Sequence, residues 1–268
     1  MANTRNSLFN ISRMIDKSEK KEVSVETSFL EDLKYCIEKL NEQTTNPSPY
    51  YKPSSLHCIR NMYYQRTDTN IDSNNKRSPD SVGIAESGTD RHLRIQYYVS
   101  KMQEQGIDCE WVDVEDYIKE NNLTDLEIVS KGDYETKLFN KKYNFRFMLD
   151  GLIKYQGKYY IFEIKTESGT KWINRGGVDP YHRNQAIAYS INLNIDEVMF
   201  LYENRDVCSK KVYLLKVTDE MRETLIHKLE VCEDYVNKHI VPSIPDDVEK
   251  KVCQYCQYRL TCRRDASI

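Results

Sequence analysis

The stretch 143–166 constrains the fold more than any other part of the chain. It holds two runs rich in aromatic and β-branched residues, YNFRFMLDGLIKY and KYYIFEIKTE, separated by Gln156-Gly157. Two such runs around a short turn predict a β-hairpin. The second run is apolar on both faces, so we expect it to be a buried, central strand.

Two carboxylates in this hairpin create a conflict that a metal ion would resolve. A turn centred between Gln156 and Gly157 places Asp150 directly opposite Glu163. Side chains opposed in this way lie about 4.5–5.5 Å apart at Cβ, and two like charges there are destabilising. A divalent cation between the carboxylates would make the pair favourable. Lys165 projects from the same face as Glu163. The alternative is an exposed sheet face on which Lys165 pairs with the acids, and the hairpin alone does not separate the two interpretations.

Helical segments on either side of the hairpin carry further candidate residues. His92 follows Gly88 by one helical turn, and a glycine there allows close approach of another backbone, while a neutral imidazole is a good metal ligand. After the hairpin, Asp179-Pro180 is a typical helix start, and the helix that follows carries Gln185 and Tyr189 on one face. Taken singly, each of these pairs is more often a packing feature than a chemical one.

The eight cysteines divide into two sets. The N-terminus has no continuous apolar stretch typical of a secretory signal, so we expect a reducing, cytoplasmic compartment in which metal ligation or burial is favoured over disulfides. We interpret the scattered set as buried small hydrophobes: Cys36, Cys109, Cys208 and Cys232. The other set combines a C-terminal cluster with one distant residue: Cys253, Cys256, Cys262 and Cys58. A C-x-x-C pair is compatible with zinc or with an iron–sulfur cluster.

Composition limits the class of protein. Hydrophobic residues make up 39% and charged residues 30% of the 268, which is typical of a globular chain, and no apolar run reaches the roughly 18 residues of a membrane span. The net charge of −3 means that any nucleic-acid contact must come from local basic patches. We expect an N-terminal helical extension at 1–45, with an amphipathic helix around Phe29 to Leu40, and a main domain at 46–268. Strands are expected at 198–202 and 211–217, and a further helix at 219–239.

Taken in order, these residues resemble the motifs of the PD-(D/E)XK nuclease superfamily, specifically its RecB-like branch with a [4Fe–4S] cluster. That branch includes the CRISPR-associated exonucleases and the nuclease domain of AddB. Its motifs are G-x-x-x-H, a strand Asp, E-x-K and Q-x-x-x-Y. They correspond here to Gly88…His92, Asp150, Glu163-Ile164-Lys165 and Gln185…Tyr189, with Cys58, Cys253, Cys256 and Cys262 as the cysteine set. One departure is that Phe147-Met148-Leu149 precedes Asp150, where relatives often show Gly-x-x-Asp.

The resemblance implies a fold and a set of ligands. The fold is an α/β restriction-endonuclease-like core whose central mixed sheet is flanked by helices, with the cluster joining its N- and C-terminal parts. The four cysteines would hold a [4Fe–4S] cluster. Mg²⁺ or Mn²⁺ would be held by His92, Asp150, Glu163 and the Ile164 carbonyl. Oxygen ligands suit these hard cations, and the imidazole favours Mn²⁺ somewhat.

The resemblance also implies an activity. Lys165 would orient the attacking water, and Gln185 and Tyr189 would position the substrate strand. The chain would then be a metal-dependent DNA exonuclease acting on single-stranded ends, with helicase, recombination or CRISPR adaptation proteins as partners. The alternatives are a non-catalytic DNA-binding or assembly factor with the same fold, and a cysteine-based redox protein. The intact Asp150, Glu163 and Lys165 argue against the first of these.

Overall fold

The computed structural model describes residues 24–41, 48–72, 78–246, 248 and 250–266. These residues fall into two units. The described part of the first unit is 24–41 with 78–83, and the second unit comprises the rest. The predicted division at residue 45 stays a prediction, and residues 1–23 of the predicted extension lie outside the described residues.

The helices and strands follow one another in the order expected for an α/β chain. The helices are α1 (Val25–Leu40), α2 (Ile59–Arg66), α3 (Pro79–Ser100), α4 (Val114–Glu120), α5 (Gly169–Ile173), α6 (Pro180–Leu193), α7 (Asp219–Lys238), α8 (Lys250–Gln254) and α9 (Arg259–Asp265). The strands are β1 (Cys109–Trp111), β2 (Leu126–Lys131), β3 (Thr136–Asn140), β4 (Phe145–Leu149), β5 (Gly151–Tyr155), β6 (Lys158–Glu167), β7 (Glu197–Asn204) and β8 (Lys210–Lys216). Among the described residues, no helix is long and apolar enough to cross a lipid bilayer.

Helix α1 contains the amphipathic pattern seen in the sequence. Ser24 caps its N-terminus by accepting a hydrogen bond from the Thr27 amide at 3.3 Å. None of the residues of this described helix is buried, so its apolar face, which includes Phe29 and Leu33, is exposed within its own unit. Its stability in isolation would be marginal, because a helix of this length depends on packing.

The second unit is built on a mixed five-stranded sheet in the order β1-β5-β6-β7-β8. The predicted hairpin is confirmed as β5 and β6, with the expected register from Gly151 opposite Phe162 to Tyr155 opposite Lys158. Gln156 and Gly157 have φ values of 50° and 76°, the positive pair that a tight hairpin turn requires. Strand β6 is central, antiparallel to β5 and parallel to β7.

The first strand of the hairpin differs from the prediction. The run 143–155 is not continuous: β4 ends at Leu149, β5 begins at Gly151, and β4 belongs to a separate three-stranded sheet, β2-β3-β4. At Gly151 the backbone passes beneath Trp111, where an added Cβ would lie 2.4 Å from the indole ring. Asp150 is therefore the single residue that joins the two sheets.

Helices cover both faces of the large sheet. On one face, Ile161 and Phe200 share a core cluster with Ala186 of α6 and Leu225 of α7. On the other face, Phe162 and Ile164 pack with Ile95 of α3 in a second cluster, which also contains Cys109, Ile153 and Leu201. The expectation of a central mixed sheet flanked by helices is confirmed.

Cys58 lies at the N-cap of α2, directly after a 3-10 turn at Pro53–Ser55. Gly106, with φ of 78°, is the left-handed residue that ends the 3-10 turn at Gln103–Gln105 after α3. The expected β7, β8 and α7 are confirmed within one or two residues at each end.

Candidate active site

Asp150, at the junction of the two sheets, receives contacts from two separate elements, α3 and β6. Its Oδ2 accepts a hydrogen bond from the Ile164 amide at 2.7 Å, and its carbonyl accepts one from Gln96 Nε2 at 2.7 Å. Its Oδ1 lies 3.4 Å from His92 Nδ1. The carboxylate is 8% exposed, so its position is fixed by these partners.

Two further carboxylates approach Asp150, one from each sheet. Extending the β5–β6 register by one residue brings Glu163 opposite Asp150, as the sequence predicted. Extending the β3–β4 register in the same way, from the pair Thr136 and Leu149, brings Glu135 opposite Asp150. Glu135 was not predicted, because β3 itself was not predicted.

His92, Glu135 and Asp150 form a compact group of possible metal ligands. One ligand atom from each lies within 4.8 Å of the other two, and this is the only such group of three among the described residues. His92 comes from α3, Glu135 precedes β3, and Asp150 joins β4 to β5. Burial lowers the pKa of His92, but the hydrogen bond to Asp150 and the negative charge around it raise the pKa above its usual value overall.

The remaining predicted residues form a hydrogen-bonded chain beside this group. Lys165 Nζ contacts Glu163 Oε1 at 2.5 Å and donates to Gln185 Oε1 at 3.1 Å. Gln185 Nε2 donates to the same Glu163 oxygen at 2.8 Å and to the Tyr189 hydroxyl at 2.7 Å. The Tyr189 hydroxyl in turn donates to the Met148 carbonyl at 2.9 Å. Tyr189 is buried, so it holds Gln185 and does not offer its ring to a bound strand.

The second oxygen of Glu163 is a buried, unsatisfied atom of the site. Glu163 is 2% exposed, and its Oε2 has no hydrogen-bond partner among the described residues. Burial and the Asp150 charge raise the pKa of Glu163 to about 7, against the opposing effects of Lys165 and His92. A buried carboxylate oxygen without a partner is costly, whereas a divalent cation would satisfy it. The donors present (carboxylate oxygens and an imidazole nitrogen) fit Mg²⁺ or Mn²⁺.

Lys165 is held in its charged form. Burial lowers the pKa of this ammonium group, but the Glu163 and Asp150 charges more than offset it and raise the pKa.

Gly88 is not explained by close packing, since an added Cβ would lie 3.8 Å from Thr166 Oγ1, an ordinary contact. The expectation that Gly88 permits a close backbone approach is therefore wrong.

An open cleft of about 610 Å³ begins just beyond the end of β6. At its edge, Arg175 binds both oxygens of buried Glu167 and also Asp179 at 2.9 Å. Lys171 lies 3.5 Å from the same glutamate. The cleft is lined by Ser168, Thr170, Lys171, Asn174, Arg175, Gly176, Gly177, Val178 and Pro180. Asp179 caps α6 as predicted, accepting from the Tyr181 amide at 3.0 Å.

The four cysteines of the second set influence one another electrostatically. Burial raises the pKa of Cys256, and the neighbouring Cys58 and Cys262 raise it further, while Asn61 Nδ2 donates to its sulfur at 3.4 Å. Burial also raises the pKa of Cys262, with Cys58 and Cys253 adding to the effect against Arg60.

The spacing of these sulfurs bears on the kind of metal centre that fits. No three of the four lie within 4.8 Å of one another in the described part of the chain, where the only such group is the histidine–carboxylate one. Tetrahedral zinc with Zn–S bonds of about 2.3 Å needs sulfurs about 3.8 Å apart. The arrangement therefore does not match a compact zinc site.

Of the four scattered cysteines that were predicted to be buried, two are buried and two are not. Cys109 and Cys232 are buried, as expected for small apolar side chains. Cys36 is exposed and Cys208 is half-buried, so their expected burial is wrong. Cys208 accepts weak hydrogen bonds from Arg91 and Arg94 at 3.5 and 3.8 Å.

Two solved structures show similarity to the chain. The crystal structure of SSO0001 is 14% identical, with 89% of this chain and 96% of that chain covered and a TM-score of 0.43. The structure of LHK-Exo in complex with dAMP is 14% identical, with 71% and 89% covered and a TM-score of 0.41. No protein-family model matches the sequence, and no curated protein matches it. Similarity at this level assigns neither a family nor a function to the chain.

Proposed function

We propose that this chain is a divalent-metal-dependent DNA nuclease that hydrolyses phosphodiester bonds. The observation that carries the proposal is the unsatisfied, buried Oε2 of Glu163, a residue on which the charges of Asp150 and Lys165 both act. A fold has no structural reason to bury two neighbouring carboxylates, since like charges there destabilise it. Cation binding at these carboxylates would offset that cost.

Each residue of the site has a role in this proposal. His92, Asp150 and Glu163, with the Ile164 carbonyl, would hold Mg²⁺ or Mn²⁺, which when bound neutralises phosphate charge and makes water a better nucleophile. We assign to Lys165 the orientation of the attacking water and stabilisation of the negative charge that develops at phosphorus. Gln185 holds Lys165 in place, and Tyr189 holds Gln185.

The proposed substrate is DNA, and the proposed reaction is exonucleolytic removal of nucleotides from single-stranded ends. The cleft beyond β6 supports this proposal, because it begins at the end of the strand that carries Lys165 and has the half-exposed Lys171 at its edge. Cations at such an edge can contact backbone phosphates. Tyr181, half exposed at the start of α6, offers a ring on which an unpaired base could stack.

The test is digestion of labelled DNA with Mg²⁺ or Mn²⁺. Linear single-stranded, linear duplex and circular single-stranded substrates separate exonuclease from endonuclease cutting. We expect wild type to shorten linear single strands and leave circles intact. Asp150→Asn and Lys165→Met should lose at least about a hundredfold in rate, since each removes a group that acts at the transition state.

The matched control is Lys158→Ala, which removes an exposed lysine on the same strand. It should cut like wild type. If wild type cuts no substrate, or if Asp150→Asn cuts as well as wild type, the nuclease proposal fails. Binding of single-stranded DNA by a wild-type protein that cuts nothing would favour the non-catalytic DNA-binding alternative.

We also propose that Cys58, Cys253, Cys256 and Cys262 hold a [4Fe–4S] cluster joining the two ends of the main domain. The influence of Cys58 on the pKa values of Cys256 and Cys262, and of Cys253 on that of Cys262, supports a shared centre, and the spacing of the sulfurs disfavours a single zinc ion. Anaerobically purified protein should be brown and contain about four irons per chain. Cys58→Ala should lose the colour, while Cys36→Ala, at an exposed cysteine, should keep it. Stoichiometric zinc in a colourless protein would contradict the proposal.

A further inference from the structure

We infer that Glu135 is a direct ligand of the divalent cation, together with His92 and Asp150. This inference rests on the proposed metal-dependent function and adds a residue to its ligand set. No sequence motif named above contains Glu135.

The geometry behind the inference comes from the junction of the two sheets. The β3–β4 register, extended by one residue, brings Glu135 opposite Asp150. One ligand atom each from His92, Glu135 and Asp150 lies within 4.8 Å of the others. Glu163 is not part of this compact group, although the Asp150 and His92 charges act on its pKa and its own charge raises the pKa of His92.

A second observation points to a ligand at the same place. Glu163 is almost fully buried, and its Oε2 has no partner among the described residues, while Oε1 is occupied by Lys165 and Gln185. The two observations are independent, because one concerns atoms that are close together and the other concerns an atom that is left unsatisfied. A cation held by the His92, Glu135 and Asp150 group and by Glu163 Oε2 accounts for both.

The chemistry of the four side chains suits one cation with a mixed ligand set. Carboxylate oxygens at the separation found here must otherwise repel one another, and an imidazole nitrogen completes the set in a way that Mn²⁺ accepts readily. With Glu135 as a ligand, the cation does not need both oxygens of Glu163. Glu163 can therefore keep Oε1 on Lys165 and present Oε2 to the cation.

The experiment is Mn²⁺ titration of the full-length purified protein, followed by the electron paramagnetic resonance signal of unbound Mn²⁺. We expect Glu135→Gln to weaken Mn²⁺ binding at least about tenfold, because even substitution of a residue that only supports a metal ligand costs about 10–100-fold in metal affinity. Glu135→Asp, which keeps a carboxylate on a shorter side chain, should fall between wild type and Glu135→Gln. The matched control is Glu127→Gln, which removes an exposed carboxylate on neighbouring β2 and should bind like wild type.

A second measurement guards against a folding defect. Without Mn²⁺, Glu135→Gln should melt at the wild-type temperature or above it, because it removes a repelling charge, and it should lose most of the rise in Tm on adding Mn²⁺. Mn²⁺ affinity of Glu135→Gln and Glu135→Asp within twofold of wild type would overturn the inference while leaving the nuclease proposal intact. If Glu135→Gln binds Mn²⁺ more weakly than wild type, but wild type cuts no DNA, the inference is supported and the nuclease proposal is overturned. A wild type that binds no Mn²⁺ would overturn both.

Discussion

Tyr189 is buried, and its hydroxyl has both a donor and an acceptor partner, Gln185 and the Met148 carbonyl. Through Gln185 the same hydroxyl is linked to Lys165 and Glu163. A single phenol oxygen therefore connects a backbone carbonyl at the end of β4 with the charged pair on β6. Removing this oxygen should mainly lower the free energy of unfolding and, to a smaller extent, shift the position of Lys165.

We predict that Tyr189→Phe lowers the free energy of unfolding by about 1–3 kcal/mol, because it leaves a buried carbonyl and an amide hydrogen without partners. Urea denaturation measures this change. The control is Tyr98→Phe, at a residue exposed on α3, which should unfold like wild type. Nuclease activity should fall less for Tyr189→Phe than for Gln185→Ala, because Gln185 keeps its contacts to Glu163 and Lys165. Equal unfolding energies for the wild type and Tyr189→Phe would contradict the prediction.

His182 gives the protein a predictable response to pH. Burial and, to a smaller extent, the nearby Lys165 charge lower the pKa of His182 to about 3. Its Nδ1 contacts the Tyr202 hydroxyl at 3.0 Å. In the unfolded chain the imidazole takes up a proton near pH 6.5, whereas in the folded chain it does not until about pH 3. Between these values the unfolded state binds more protons, so this residue makes the protein less stable as the pH falls.

We predict that His182→Asn makes stability less sensitive to acid between pH 6.5 and 4.5. The wild type should lose up to about 1.4 kcal/mol more than the variant for each pH unit. Glu163, whose raised pKa acts in the opposite direction, is present in both proteins, so the comparison isolates His182. Urea denaturation at pH 7.5, 5.5 and 4.5 measures the slopes. His227→Asn, at a side chain that is 77% exposed, should keep the wild-type slope. Equal slopes for wild type and His182→Asn would refute the assignment.

At the scale of elements, the β5–β6 hairpin depends on its turn. Gly157 has φ of 76°, where a side chain is strained, and an added Cβ there meets no atom within 4 Å. We predict that Gly157→Ala lowers the free energy of unfolding by about 1 kcal/mol, purely from backbone conformation. The control with the opposite sign is Gly83→Ala in α3, which also has open space and should raise stability by about 0.5–1 kcal/mol. Changes of the same sign in urea denaturation would show that turn geometry is not the cause.

Much of this hairpin could be predicted from the sequence alone. The turn, the register and the central position of β6 follow from alternation and turn chemistry, which are local properties. The cap at Asp179 and the contact between Gln185 and Tyr189 follow from helical spacing for the same reason. These predictions needed no information about distant parts of the chain.

The break at Asp150 could not be predicted in this way. Alternation continues unchanged through 143–155, and the break depends on Trp111 lying over Gly151, a contact between distant segments. Strand β2 was missed because it buries only its first residue, so it lacks a strand-like pattern. Strand β3 does alternate, with Thr136, Leu138 and Asn140 buried, but two of these three are polar. Glu135 was missed with the strand that positions it.

At the scale of the whole molecule, contacts that need no metal tie the C-terminal segment to the region around Cys58. Arg60 Nη2 donates to the Cys262 carbonyl at 3.1 Å, and the Tyr64 hydroxyl donates to Asp265 at 2.8 Å. The Asp72 amide donates to the Gln257 carbonyl at 3.0 Å. The cysteines are thus brought together partly by polar contacts, and a cluster would add to an arrangement that these contacts already favour.

Asp72 makes the strongest of these ties. Its carboxylate accepts hydrogen bonds from the Leu260 amide and from the amide and hydroxyl of Thr261, at 2.5, 3.2 and 2.8 Å. Leu260 and Thr261 lie in the first turn of α9, whose amides have no partner within the helix. Asp72 therefore caps α9 from a distant part of the chain, a role worth about 0.5–2 kcal/mol when it is supplied by a local residue.

We predict that Asp72→Ala loosens the segment 250–266 while the central sheet stays folded, because the sheet has its own core on both faces. Limited trypsin digestion with mass spectrometry should show earlier cleavage after Arg259, Arg263 or Arg264 in the variant than in the wild type. Fragments from the β5–β7 region should appear at the wild-type rate. Asp234→Ala, which removes an exposed carboxylate on α7, should be cleaved like wild type at all of these sites. Unchanged cleavage near Arg259 in Asp72→Ala would show that other contacts hold the segment, whereas faster cleavage throughout would show that the C-terminal segment and the sheet unfold as one unit.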